Sequence, residues 1–254
     1  MCIRDRISAL VLGSMLVGLS GCNITDFSAE NLLRPPKAVG DEAEIEQLIA
    51  KTADSGYTLK YPKNGKFRSA IIMTDLDGND SNEAVAFFRN SAETSSVHML
   101  VMYSKDNSWE IASDNIFETT DIDSVDFADL TGNGKAEIIV NSTTYTPNVG
   151  KLSCYSYSEG KTNEVGSGQS CSSFVTGDFD NDGTSEIMSL VLYTTENEAL
   201  ASMLDYNEDS KSLYAKAMAN MDPNVVKYKN IAVTKLDNCL LYTSDAADDL
   251  LCVD

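Results

Sequence analysis

Three nine-residue segments rich in aspartate and asparagine, about fifty residues apart, constrain this chain more than any other feature, because repeats of that period mark repeat architectures. They run from Asp75 to Glu83, from Asp129 to Glu137 and from Asp178 to Glu186. The second starts 54 residues after the first, and the third 49 after the second. A second landmark keeps the same register. Twenty residues beyond each closing glutamate stands a tyrosine (Tyr103, Tyr157 and Tyr206), each followed at once by a polar turn. Between these landmarks, apolar and β-branched runs of strand length alternate with Asn, Asp, Gly and Ser turns. Each unit therefore reads as strand, acidic loop, strand, turn, strand ending in tyrosine, turn, strand. Four antiparallel strands in about fifty residues is the size of a propeller blade. A fourth unit begins at Ile231 and breaks off near Asn238. The expected fold is all-β, a partial β-propeller of about three and a fraction four-stranded antiparallel blades over residues 57–238.

The loops carry the chemistry. Oxygen-bearing residues at positions 1, 3, 5 and 9 of a tight turn suit a hard cation, and calcium takes about six to eight oxygens in irregular geometry. The third loop offers Asp178, Asp180, Asp182 and Glu186, with the Thr184 carbonyl at position 7 and Gly183 at position 6 to admit a left-handed backbone. In the first, Asp75, Asp77, Asn79 and Glu83 fill the side-chain positions and Ser81 the carbonyl position, while Asp80 replaces the glycine. Aspartate reaches the left-handed region at some cost. The second has Asp129, Thr131, Asn133 and Glu137, with Lys135 at position 7, so only two of its ligand positions bring charge. On charge alone, calcium affinity falls from third to first to second. The alternative is that the loops are turns kept by hydrogen bonds alone. Strand-like flanks and closure at position 9 exclude an EF-hand, whose loop has twelve residues between helices.

This arrangement resembles the FG-GAP/VCBS repeats of integrin-α-like propellers. In that family the loop joins the first two strands of a blade and holds calcium. Asn31 to Lys37 and Leu59 to Gly65 also resemble segments of VCBS-repeat lipoproteins of Gram-positive bacteria. The resemblance covers about Ala29 to Asn238.

The N-terminal stretch has the pattern of an export signal. Arg4 and Arg6 precede an apolar run from Ile7 to Leu19, followed by Leu19-Ser20-Gly21-Cys22. That ending resembles a lipobox, which implies lipidation at Cys22, removal of residues 1–21 and an extracytoplasmic, membrane-anchored body. Residues 23–56 read as a tether with Pro35-Pro36, then a short amphipathic helix from Asp41 to Ala53. Its apolar face is Ile45, Leu48, Ile49 and a tolerant Thr52, with Gly56 just beyond. Residues 1–6 and 239–254 resemble translated sequencing-adapter sequence and are expected to lie outside the natural fold. Of the six cysteines, Cys154 and Cys171 then remain inside the body, paired or free.

Net charge is −20, which argues against nucleic acid and anionic lipid surfaces as partners. The one histidine, His98, lies within a strand-like run, and no nucleophile elbow, zincin pair or phosphate loop is present. Trp109 reads as blade packing rather than a sugar platform. The expectation is a non-enzymatic binding or scaffold module, taking calcium and an unidentified surface protein or polysaccharide. The alternative is a fragment of a secreted hydrolase or lyase whose catalytic residues lie beyond a truncated C-terminus.

Overall fold

A computed structural model describes residues 40–53, 56–226, 231–236 and 239–244. The signal segment 1–22 with Cys22, the tether as far as residue 39 and the tail 245–254 lie outside the described residues. Helix α1 (Asp41–Ala53) carries Asp41, Glu42 and Glu44 in its first turn, where carboxylates oppose the positive end of the helix dipole, and Lys51 in its last. Its i, i+4, i+8 residues Ile45, Ile49 and Ala53 are buried, and Thr52 turns its hydroxyl back to the Leu48 carbonyl at 2.9 Å.

Among the described residues, antiparallel strands make up nearly all the remaining regular secondary structure. The first sheet contains β1 (Tyr57–Leu59), β2 (Ile71–Thr74), β3 (Glu83–Asn90), β4 (Val97–Lys105) and β5 (Ser108–Phe117). The second is a four-stranded meander of β6 (Ile122–Ala128), β7 (Glu137–Thr143), β8 (Gly150–Ser158) and β9 (Lys161–Cys171). The third repeats it with β10 (Ser173–Gly177), β11 (Glu186–Tyr193), β12 (Glu198–Asn207) and β13 (Ser212–Met221). A one-turn helix α2 (Pro223–Val226) precedes a hairpin of β14 (Ile231–Leu236) and β15 (Cys239–Ser244), in register from Ile231↔Ser244 to Leu236↔Cys239. The hairpin thus draws its second strand from the segment read as adapter sequence.

The first sheet departs from the plain meander. β1 and β2 lie end to end along one edge of β3, β1 opposite Phe88–Asn90 and β2 opposite Glu83–Ala86. The residues between them leave that edge. There the N–H groups of Lys63 and Asn64 donate to the carbonyls of Ile122 and Asp123 on β6, at 3.2 and 2.7 Å.

Strand alternation decides how the sheets pack, because successive side chains point to opposite faces. On β4, Val97, Met99 and Val101 join Ile138, Val140, Tyr155 and Tyr157 in a core shared by the first and second sheets. Leu100 and Met102 face the other way and join Ile45, Ile49, Phe88 and Trp109 beneath α1. On β7, Ile139 points away from the first sheet and packs with Cys154, Cys171, Ile187, Leu204 and Leu213 between the second and third. The layers therefore follow the chain: helix, first sheet, second sheet, third sheet. Burying Ile45 and Ile49 contributes roughly 1.5–3 kcal/mol each. Trp109, 8% exposed, is a core residue beneath the helix.

Candidate metal centre

Each acidic loop joins the first strand of a repeat to the second: β2 to β3, β6 to β7, β10 to β11. All three share one hydrogen-bond scheme. The position-1 aspartate gathers backbone N–H groups from farther round the turn. Asp75 accepts from Gly78, Asn79 and Asp80 at 2.8, 3.3 and 2.9 Å. Asp129 accepts from Asn133 and Gly134 at 3.1 and 2.7 Å, and Asp178 from Gly183 at 3.3 Å. The position-5 side chain accepts the position-7 N–H: Asn79 from Ser81, Asn133 from Lys135 and Asp182 from Thr184, at 2.7, 2.8 and 2.8 Å. The closing glutamate accepts the position-2 N–H, so Glu83, Glu137 and Glu186 bind Leu76, Leu130 and Phe179, each at 2.8 Å.

The backbone explains the glycines. Position 6 is left-handed in all three loops, at Asp80 (φ 65°), Gly134 (φ 78°) and Gly183 (φ 95°). Position 4 is left-handed too, at Gly78 (φ 75°), Gly132 (φ 71°) and Asn181 (φ 64°), which sequence reasoning missed. Glycine or asparagine at that position was the available signal.

Carboxylates converge in two of the loops. One oxygen from each of Asp75, Asp77 and Glu83 lies within 4.8 Å of the others, and the same holds for Asp178, Asp180, Asp182 and Glu186. In the second loop Thr131 donates its hydroxyl to Glu137 at 3.2 Å, leaving Asp129 and Glu137 as the only carboxylates. Asp77 Oδ1 is buried and has no hydrogen-bond partner. A buried orphan oxygen is costly and calls for a cation or water. The donor set, carboxylate and carbonyl oxygens in irregular number, is one that a hard cation accepts.

The electrostatics match the geometry. Burial pushes the Glu83 carboxyl above its ordinary value; the Leu76 N–H opposes this, and the charges of Asp77 and Asp75 add to it. Burial likewise raises Glu137 and Glu186. Desolvation also acts upward on Asp75, but the N–H groups of Asp80, Gly78, Asn79 and Asp77 outweigh it and hold that carboxyl below the ordinary range.

Neighbouring loops touch through their backbones. The Ala136 N–H donates to the Leu76 carbonyl at 3.1 Å, and the Ser185 N–H to the Asp129 carbonyl at 2.8 Å. The repeated tyrosines belong to the same seam. Burial, then the charges of Glu83 and Asp77, push the Tyr157 phenol up to about 12, so this tyrosine of the second repeat faces the loop of the first. Tyr206 is raised by its own desolvation, then by Glu208 of its own turn, and last by Glu137 of the preceding loop.

Other singled-out residues lie elsewhere. His98 is buried on β4, stacked on Phe88 with ring centroids 4.8 Å apart. Its Nδ1 lies 2.9 Å from the Asp114 carboxylate and its Nε2 3.1 Å from Glu93. Cys154 and Cys171 are free, buried thiols, and burial pushes Cys171 up to about 12. Among the described residues no helix is long and apolar enough to cross a membrane. No protein-family model matches the chain, and no curated protein matches it.

Proposed function

We propose that this chain is a calcium-braced array of FG-GAP/VCBS-type blades, carried outside the cell on a lipid at Cys22, that binds a surface ligand without catalysing a reaction. The observation that carries the metal reading is the orphan Oδ1 of Asp77, buried beside the carboxylates of Asp75 and Glu83. Asp75, Asp77, Asn79, Glu83 and the Ser81 carbonyl would hold the ion in the first loop. Asp178, Asp180, Asp182, Glu186 and the Thr184 carbonyl would do so in the third. Asp129, Thr131, Asn133, Glu137 and the Lys135 carbonyl form the poorest set. Bound calcium would supply charge neutralisation where a buried glutamate meets the loop aspartates, and so stiffen the seam between sheets.

The propeller reading is supported by one acidic loop in each of the first three sheets and by their face-to-face stacking in chain order. Helix α1 covers the face of the first sheet that a neighbouring blade would cover in a ring, so the array is an open arc. The charge of −20 favours a cationic or neutral partner over nucleic acid. Native mass spectrometry tests the metal reading: the expected result is calcium adducts at millimolar calcium that a chelator removes, and their absence refutes it. The anchor is tested by Cys22→Ser, which should leave the precursor unprocessed or release it; a mature start other than Cys22 contradicts the lipid.

A further inference from the structure

The side chain at position 3 meets a different environment in each loop. Asp77 has its orphan oxygen. Thr131 is occupied with Glu137. Asp180 accepts the Asp182 N–H on Oδ1 at 3.1 Å and the Lys216 ammonium on Oδ2. Lys216 comes from β13, 36 residues along the chain, and its Nζ also reaches Asp205 Oδ2 at 3.0 Å. The Tyr214 hydroxyl donates to that same Asp205 oxygen at 3.1 Å. The ammonium is therefore bound by two carboxylates, one of them a member of the acidic cluster. Among the described residues, no other ion pair joins a basic side chain to a loop carboxylate.

We propose that Lys216 is a tethered counter-cation of the third loop, which calcium must displace from Asp180, so that the first loop, with fewer carboxylates, binds calcium more tightly. The proposal rests on the calcium reading above. An ammonium beside Asp180 satisfies a carboxylate that a metal would otherwise claim, and it repels an incoming divalent ion. Both effects weaken calcium without altering the loop backbone. Lys216 also offsets the crowding of Asp205 against the loop, so the metal-free third loop tolerates its four carboxylates. Among the described residues no such offset is found around Asp77, whose buried oxygen has no hydrogen-bond partner there and would gain one from a cation.

Calorimetric titration of the full chain with calcium chloride tests this. In an Asp77→Asn background, which disables the first loop, the residual binding reports the third. Adding Lys216→Met should tighten that residual binding on the order of tenfold, the scale of one nearby unit charge partly screened by water. Lys216→Arg, which keeps the charge, should leave it weak. Lys216→Gln supplies the same comparison if K216M does not fold by circular dichroism. Residual affinity unchanged or weakened by removing the lysine charge overturns the proposal while the calcium reading stands. If neither the wild type nor any variant takes up calcium, the calcium reading falls and this proposal with it.

Discussion

In the first acidic loop Leu76 is fully buried in the core between the first and second sheets, and the neighbouring Asp77 keeps an oxygen without a partner. In the third loop the equivalent Phe179 is half-buried, and Asp180 is paired with Lys216. The two loops share a backbone and a hydrogen-bond scheme, so the difference lies in what surrounds them. Counting carboxylates ranks the third loop first. The Lys216 ammonium on Asp180, a partner that Asp77 lacks among the described residues, is what would reverse that order. A metal site is defined by the oxygens left over after folding, not by the acids in a motif.

The largest effect that sharpens this comparison is packing. Leu76→Ala should cost about 2–5 kcal/mol, because it empties a fully buried position. Phe179→Ala should cost less than the loss of a fully buried ring, since Phe179 keeps partial exposure to water. Denaturant melts of both variants check this, and equal losses would mean the loops are anchored alike. Next comes backbone strain. Gly183→Ala meets no atom within 4 Å but must hold φ 95°, so it should lose about 1–2 kcal/mol by the same measurement. Asp80→Gly, at the matching position of the first loop, should change stability by less than about 1 kcal/mol, because aspartate tolerates that region and glycine adds unfolded-state entropy. A loss in the first loop as large as that in the third would break the claim of a common backbone.

The smallest effect is a control at the opposite end of the first sheet. Bonds from Ser96, His98 and Asn90 lower the Glu93 carboxyl from 4.5 to about 2. A folded-state value below the unfolded one contributes stability that is full above about pH 4.5 and lost as pH falls toward 2. Glu93→Gln should therefore flatten the fall in melting temperature across that window, by the same amount with calcium or with a chelator. A calcium-dependent difference would tie this turn to the loops.

Much of this was legible in the sequence. The helix from Asp41 to Ala53 was readable because its apolar spacing, Asp41 at the start and Gly56 just beyond the end are local signals. Four strands per repeat were readable because the acidic loop and the tyrosine fix two registers at once. β1 was not, since Tyr57–Leu59 pairs with the far end of β3 across an intervening polar stretch that includes Pro62. Nor was the role of the tyrosines: Tyr157 and Tyr206 face the loop of the preceding repeat, a contact between repeats rather than within one. The pairing of Asp180 with Lys216 was hidden for the same reason, because strand register over 36 residues decides it.

The most direct test is the calcium-dependent rise in melting temperature of the full chain, compared with Asp77→Asn and Asp180→Asn. Extracellular sites binding at about 10⁻⁴–10⁻³ M gain roughly 0.4–1.4 kcal/mol each at about 1 mM calcium, a shift of a few degrees for a body of this size. The account predicts a rise in the wild type that Asp77→Asn reduces more than Asp180→Asn does. No rise in the wild type, or a larger loss from Asp180→Asn, would contradict it.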